Sequence, residues 1–156
     1  MKKYILLFLL SFCLNNFVNA QGWRKAYDTP ISGIQAGYMA DGNTIWLVGD
    51  NESIFKSTDG GFTWVEKFHT DNIDSYAHDI SFVNSTTAFV GCDYGRILKT
   101  TDGGETWNVQ LVPLPDSTYD VIQVHFFDSN LGFALCDSQS KAFIYKTTNG
   151  GIKWDT

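Results

Sequence analysis

A chain of 156 residues with 44% hydrophobic and 15% aromatic content can bury a core, which excludes a disordered or low-complexity protein. Its formal net charge is −6 at pH 7, and this acidic balance disfavours nucleic acids and anionic membrane surfaces as partners, because both require clustered cations. Only Cys92 and Cys136 follow the first 20 residues, which is too few cysteines for a disulfide scaffold.

Residues 1–20 have the pattern of a secretory signal peptide. Two lysines precede an apolar stretch from Tyr4 to Leu14, and small residues end the segment at Ala20. About a dozen apolar residues cannot span a bilayer, which takes roughly 20. We predict a secreted, periplasmic or cell-surface protein without membrane insertion after cleavage. Cleavage removes two lysines and no acid, so the net charge falls from −6 to −8.

The remainder of the chain repeats one pattern of short β-rich runs three times. The first runs read IQAGYMA, DISFVN and VIQVHFFD, the second IWLVGD, AFVGCD and FALCD, and the third SIFK, RILK and FIYK. A fourth run opens with Trp64, Trp107 or Trp154, at spacings of 43 and 47 residues. Four strands in roughly 40–50 residues are typical of a β-propeller blade, and no run has a helical period. We predict an all-β fold of about three four-stranded antiparallel blades, near residues 33–68, 76–112 and 119–156, in an incomplete propeller.

A glycine turn separates the third and fourth strands of each copy: STDGGFTW at 57–64, TTDGGETW at 100–107 and TTNGGIKW at 147–154. The glycines supply positive φ angles, the hydroxyl and carboxylate groups can bond turn amides, and the indoles offer apolar area for packing. Catalysis would require these groups to converge, whereas a repeat distributes them over separate blades. We therefore interpret the following residues as structural: Ser57, Asp59, Gly61, Thr63, Trp64, Thr100, Asp102, Gly104, Thr106, Trp107, Thr147, Asn149, Gly151 and Trp154.

The motif Ser/Thr-x-Asp-x-Gly-x-Thr-Trp resembles the Asp-box, or BNR repeat, of sialidases, sortilin-type receptors, some xyloglucan hydrolases and photosystem II stability-factor-like proteins. The first two copies match at every defined position, and the third has Asn149 and Lys153 in place of Asp and Thr. The doubled glycine and the lysine before it look most like the photosystem II stability-factor-like exported propellers. The resemblance implies a β-propeller whose boxes lie on the face away from any active site.

Candidate binding residues are therefore expected on the opposite face, in loops 50–53, 69–76, 92–96, 113–119 and 136–141. Tyr76, Tyr94 and Arg96 are residue types that dominate interaction hot spots. Asp79 belongs to a polar stripe on the first strands, in which Gln35, Asp79 and Gln123 align, as do Gly37, Ser81 and His125. This stripe is either a ligand surface or the hydrogen-bonding lining of a wet channel.

No catalytic residue, metal site or cofactor is predicted. A sialidase needs an arginine cluster, and the chain has only Arg24 and Arg96. His69, His78 and His125 lack the spacing of a metal site, and Asp71–Asp74 lacks the glycine of a calcium loop. A glycosidase would need two carboxylates that face each other across a cleft. Asp71, Asp74 and Asp79 are close in sequence, but this does not show that they face each other. Cys92 and Cys136 fall on neighbouring blades, too far apart for a disulfide, so two buried free thiols are expected.

These patterns favour an exported, non-catalytic propeller that acts as a binding or assembly scaffold for a protein or glycan. The alternative is the N-terminal part of a carbohydrate-active glycoside hydrolase propeller whose catalytic groups lie beyond Thr156. Propellers have roughly 4–8 blades, so residues 21–156 are expected to be part of a longer propeller. Residues 22–27, with Trp23 placed 41 residues before Trp64, are interpreted as a closing strand or as a linker.

Overall fold

The structure, a computed structural model, describes residues 29, 31, 33–71, 74–115, 118–138 and 141–155. The predicted signal peptide and the predicted closing strand at 22–27 lie outside these residues. The described part of the chain forms eleven strands, and none of it is a helix able to cross a membrane.

The strands form three antiparallel sheets in chain order. The first sheet contains β1 (Ile34–Met39), β2 (Ile45–Gly49), β3 (Ile54–Ser57) and β4 (Val65–Phe68). The second contains β5 (Ala77–Phe82), β6 (Ala88–Cys92), β7 (Arg96–Thr100) and β8 (Asn108–Leu111), and the third contains β9 (Asp120–Phe126), β10 (Gly132–Asp137) and β11 (Ala142–Thr147). Asp155 forms a bridge to Lys146 at the place of a fourth strand in the third sheet. Each sheet is a blade, as the sequence predicts.

The hydrophobic core lies between neighbouring blades rather than within one of them. The second strand of the middle blade, β6, is buried along its whole length because a blade covers each of its faces, whereas the outer strand β8 is largely exposed. One buried cluster joins the first two blades and another joins the last two. Their largest members are Trp46, Ile54 and Leu98 in the first cluster, and Phe89, Ile97, Phe126, Tyr145 and Trp154 in the second.

Each first strand contains one bulged residue at an equivalent position, and its pairing with the second strand corrects the predicted alignment of the first blade. The residues opposite Trp46, Phe89 and Phe133 on the second strands are Tyr38, Ser81 and His125. Similarly, Ala36, Asp79 and Gln123 occupy equivalent positions, and Gln35, His78 and Ile122 are the bulged residues. The predicted alignment of Gln35 and Gly37 with the polar stripe is therefore wrong by one residue, and such a slip moves every side chain to the other face.

The first Asp-box turn is held together by hydrogen bonds among its own residues. Ser57 Oγ donates to Asp59 Oδ1 at 2.8 Å and accepts from the Gly61 N–H at 2.8 Å. Thr63 donates to the Asp59 carboxylate from its hydroxyl at 2.6 Å and from its N–H at 2.9 Å. The Thr63 hydroxyl is the largest cause that lowers the pKa of Asp59 to about 2. Gly60 and Gly61 have φ angles of 77° and 93°, which glycine adopts without strain.

The second turn repeats this geometry. Thr100 Oγ1 donates to Asp102 Oδ1 at 2.8 Å and accepts from the Gly104 N–H at 2.9 Å. Thr106 donates to the Asp102 carboxylate from its hydroxyl at 2.6 Å and from its N–H at 2.9 Å, and this contact is the main reason that the pKa of Asp102 is lowered to about 2. The polar groups of the motif are thus bonded within the turn.

The third turn keeps the backbone geometry despite its two substitutions. Asn149 Oδ1 accepts from the Thr147 hydroxyl at 3.0 Å and from the Lys153 N–H at 2.9 Å. The Gly151 N–H donates to Thr147 Oγ1 at 2.9 Å. An amide oxygen can therefore replace the carboxylate, because the turn requires an acceptor rather than a charge.

The box tryptophans differ in burial, although all three indoles were expected to offer apolar area for packing. Trp154 is 4% exposed and packs edge-on against Phe126, with ring centroids 5.9 Å apart. Trp107 is half-buried, edge-on to Trp46 at 6.4 Å, and Trp64 is half-buried with its indole N–H donating to the carbonyl of its own turn. The Trp107 indole thus contacts β2 of the preceding blade, whereas the Trp154 indole contacts β9 of its own blade.

Cys92 and Cys136 are buried free thiols, which confirms the prediction made for them. Burial raises the pKa of both thiols, that of Cys136 to about 12. Both side chains therefore remain protonated at neutral pH and act as small apolar groups.

Candidate functional site

The face opposite the Asp boxes is formed by the turns between second and third strands and by the starts of the first strands. We call it the distal face and define it by residues 50–53, 74–76, 93–95 and 118–122. The first strands β1, β5 and β9 begin on this face and run toward the boxes. The second strands are antiparallel to them and return to the distal face. Its exposed apolar side chains are Tyr76 at 38%, Tyr94 at 45% and Ile122 at 38% exposure.

Tyr94 lies at the tip of the turn between β6 and β7. Its φ of 57° and that of Gly95, 68°, are the pair of positive angles that a two-residue hairpin turn requires. The Tyr94 N–H donates to Asp120 Oδ1 at 3.0 Å, and its hydroxyl donates to the Asp74 carbonyl at 3.1 Å. The exposed ring is therefore held by contacts to the linker before the second blade and to the third blade.

Tyr76 lies on the second blade, just before β5. Its N–H donates to Asp93 Oδ2 at 2.8 Å, and its carbonyl accepts from the Asp93 N–H at 3.1 Å. It also forms a bridge with Asp50 of the first blade. Its ring lies 6.2 Å from that of His78. The backbone beneath both exposed tyrosines is therefore fixed.

Beneath the tyrosines, His78, Asp93 and Asp120 bring three potential metal-ligand atoms within 4.8 Å of one another. His78 Nε2 and Asp93 Oδ1 are hydrogen-bonded at 2.5 Å, while backbone N–H groups of the tyrosines occupy other carboxylate oxygens. Burial raises the pKa of Asp120, and the nearby Asp93 carboxylate adds to this effect. These contacts already provide a partner for each of the three side chains, so the arrangement works as a hydrogen-bonded support of the distal face.

Arg96, expected in an exposed loop, is the first residue of β7 and is only 15% exposed at its side chain. Its Nη2 lies 3.1 Å from Oε2 of Glu52, whose side chain is fully buried. Glu52 also accepts hydrogen bonds from the Ser75 and Thr70 hydroxyls at 2.8 and 2.9 Å. The arginine therefore joins the second blade to the first, and the prediction of an exposed location was wrong.

Asp79 lies on the inner surface, away from the distal tyrosines. Its Oδ2 accepts a hydrogen bond from the Val124 N–H of the third blade at 3.0 Å. A cavity of about 270 Å³ adjoins it and is also lined by Tyr38, Ser81, Gln123 and His125. Of the four predicted binding residues, the structure brings together Tyr76 and Tyr94, while Asp79 and Arg96 make contacts between blades.

Sequence reasoning missed two sets of contacts: the group of His78, Asp93 and Asp120, and the contacts of the buried Glu52. One available signal was the acid that ends the second run of every copy, in IWLVGD, AFVGCD and FALCD. The second of these acids is Asp93, which bonds both Tyr76 and His78. No comparable signal marked Glu52, whose counterpart in the second blade is Gly95.

The strand order, the three hydrogen-bonded box turns and the packing of blade on blade define an Asp-box β-propeller. The family model described as photosynthesis system II assembly factor YCF48 matches residues 15–101 and 72–156, and the chain belongs to this family.

Solved structures of similar fold include YCF48 bound to D1 peptide, with 23% identity and a TM-score of 0.65 over 79% of this chain and 39% of that one. YCF48 from Cyanidioschyzon merolae is 27% identical, with a TM-score of 0.59 over 79% of this chain and 36% of that one. A GH74 enzyme from Niastella koreensis is 22% identical, with a TM-score of 0.57 over 80% and 22%. The chain thus spans less than two fifths of the YCF48 structures. No curated protein matches.

Proposed function

We propose that this chain is part of an exported, non-catalytic propeller that acts as a binding and assembly scaffold, and that its distal face binds a segment of a partner protein. The observation that carries the proposal is the pair of exposed tyrosines, Tyr76 and Tyr94, on a backbone fixed by Asp93 and Asp120. Exposed aromatic residues on a preorganised backbone bind with little loss of conformational entropy.

A protein partner is favoured over a glycan by two findings. The family is described as an assembly factor, and one similar structure is YCF48 bound to D1 peptide. The exposed Asp74 on the distal face favours a segment that contains basic residues, because complementary charge speeds and selects encounters. The GH74 neighbours, at 22% identity, support a shared fold and carry no argument for a shared reaction.

Binding can be tested with arrays of random peptides and of glycans, probed with the purified protein. Tyr76→Ala and Tyr94→Asn should each weaken peptide binding about tenfold or more, with asparagine chosen because it tolerates the positive φ. Phe62→Ala is the matched control, since Phe62 is 64% exposed on a box turn of the other face. Binding of glycans alone, or equal losses in all three variants, would contradict the proposal.

Export is supported by the pattern of residues 1–20. Expression of the full chain with a C-terminal tag should give a product that begins near Gln21 outside the cytoplasm. A variant without residues 1–20 should stay inside. An uncleaved chain retained in the cytoplasm would contradict export without bearing on the binding test.

A further inference from the structure

The two interfaces between blades are built from equivalent positions but differ in one region. We call the interface between the first and second blades the first interface, and that between the second and third blades the second interface. Each contains an aromatic residue from the second strand of one blade and one from the end of the first strand of the next blade. These pairs are Trp46 and Phe82 at the first interface, and Phe89 and Phe126 at the second.

The side chains of the second interface are all paired with one another. The Phe89 and Phe126 rings stack with centroids 3.4 Å apart, and neither residue is more than 4% exposed. Lys99 Nζ lies 5.1 Å from the centre of the Phe89 ring and donates to the Gly150 carbonyl at 2.9 Å. Ser81 Oγ accepts the Phe126 N–H at 3.2 Å. The rings, the ammonium group and the hydroxyl therefore have partners within the protein.

A cavity of about 460 Å³ opens at the first interface, between two blades that the structure describes. Tyr38 has the position that Ser81 has on the second blade, and its ring stacks on Phe82 with centroids 4.5 Å apart. Phe82 is half-buried, and its ring is tilted by 44° to that of Trp46 instead of lying flat on it. The lining of the cavity includes Tyr38, Asp41, Trp46, Lys56, Phe82 and Asn84.

Lys56 has the position of Lys99 but makes different contacts. Its Nζ lies 4.8 Å from the centre of the Trp46 ring, an attraction between a cation and an aromatic face. Among the described residues it has no hydrogen bond or ion pair, whereas Lys99 is bonded to the box of the next blade. The cavity therefore contains a positioned cation whose three N–H donors are available to a ligand.

The opposite charge in the cavity comes from Asp41, in the loop between β1 and β2. Its Oδ1 accepts hydrogen bonds from the N–H groups of Asn43 and Thr44, both at 2.7 Å, and these bonds lower the pKa of Asp41. The carboxylate is thus ionised at neutral pH and held on its loop. Among the described residues that line the cavity only Asp41 and Lys56 are charged, and they form no ion pair with each other.

Two separate opposite charges beside aromatic rings are suited to a zwitterion. A simple anion is disfavoured by the net charge of −6, and a simple cation is repelled by the ammonium group in the cavity. A neutral sugar would leave both charges without a partner. The volume lies within the range of small-molecule sites, roughly 300–1,000 Å³.

We propose that this cavity binds a free α-amino acid with an apolar side chain. Lys56 binds the carboxylate of the ligand, and Asp41 binds its ammonium group. The ligand side chain packs on the rings of Tyr38 and Phe82. Thr58 of the first box also lines the cavity, so the site lies at the box end of the blades and is separate from the distal face.

NMR titration of the purified protein with L-phenylalanine and two analogues tests the class of ligand. L-phenylalanine should bind with a Kd of about 1 mM or lower and shift the indole signal of Trp46. Phenethylamine lacks the carboxylate and hydrocinnamate lacks the ammonium group, so each should bind about tenfold or more weakly, because one charge stays unpaired. Absence of L-phenylalanine binding, or equal binding of either analogue, would overturn the proposal. This comparison uses the wild-type protein and does not depend on the folding of a variant.

Two substitutions test the charges of the site separately. Lys56→Met and Asp41→Asn keep the approximate size of each side chain, and asparagine can still accept the N–H groups of its loop. Each variant should weaken the binding of L-phenylalanine about tenfold or more. Unchanged binding in both variants would place the ligand elsewhere and refute the assignment.

The third blade offers matched controls that do not line the cavity. Lys146 Nζ lies 5.9 Å from the centre of the Phe133 ring, as Lys56 lies over Trp46. Asp128 Oδ1 accepts two N–H groups of its own loop, at 2.7 and 2.8 Å. Lys146→Met and Asp128→Asn should bind L-phenylalanine like wild type. Losses equal to those of the cavity variants would show a general effect of charge and contradict the site.

Discussion

Replacing Glu52 by glutamine tests whether the first two blades are joined by a buried ion pair. The Glu52 side chain is fully buried, and its carboxylate receives the Ser75 and Thr70 hydroxyls and lies 3.1 Å from Arg96 Nη2. Glutamine preserves the size of the side chain but removes the charge. Among the described residues Arg96 Nε has no hydrogen-bond partner, so the guanidinium depends strongly on this carboxylate.

Removal of one partner from a buried pair costs about 3–5 kcal/mol, because the remaining charge stays desolvated. We expect Glu52→Gln to lower the free energy of unfolding by an amount in that range, measured by urea denaturation. The pair Lys67–Glu105, at 2.7 Å but with Glu105 64% exposed, is the matched control. Glu105→Gln should cost less than about 1 kcal/mol.

A double-mutant cycle with Arg96→Met separates the pair from its surroundings. The double variant should lose less stability than the sum of the single losses, since no charge is then left alone. Equal and small losses in Glu52→Gln and Glu105→Gln would refute the reasoning that burial makes this pair important.

Three further predictions concern the boxes and a thiol. Trp154→Ala should lower the free energy of unfolding in urea by about 3–5 kcal/mol, and Trp64→Ala by clearly less, because the Trp154 indole is buried and the Trp64 indole is half-buried. Equal losses would contradict this account of blade packing. Hydrogen bonds, chiefly from the Thr106 hydroxyl, lower the pKa of Asp102 to about 2 from an ordinary 3.8, so they stabilise the fold above pH 3.8 and this contribution is lost as the pH falls toward 2. The difference in melting temperature between wild type and Asp102→Asn should therefore shrink over that range, and a constant difference would argue against the assignment. Burial raises the pKa of Cys92, so thiol reagents should label it only as fast as the protein unfolds, and rapid labelling of native protein would count against its burial.

The blade pattern could be read from the sequence because its signals are local. Glycines at turn positions, alternating strands and a repeated tryptophan each act within a few residues of chain. The register of β1 was misread because the polar side chain of Gln35 resembles those of Asp79 and Gln123 and favoured the wrong alignment, whereas strand pairing makes Ala36 the equivalent residue.

Contacts between distant residues could not be read in this way. Arg96 was taken for an exposed residue because it is charged and follows a turn, but its partner Glu52 lies 44 positions earlier. The Trp107 indole likewise contacts Trp46 of the preceding blade, a residue that the box itself does not reveal. The location of Tyr76 and Tyr94 on the same face could be predicted, because the strand order alone places the start of β5 and the turn between β6 and β7 on that face.

The local hydrogen bonds of the Asp boxes have a consequence for how the chain folds. They join residues no more than four positions apart, whereas the bonds from Asp79 and Ser81 to the next blade span 45 positions. Closing a short loop loses little entropy, so the three hairpins can form independently before the blades associate. Substitutions in the boxes should then mainly slow refolding, while substitutions between blades should mainly speed unfolding, a division that stopped-flow kinetics would resolve. The boxes would thus give the chain three separate starting points for folding.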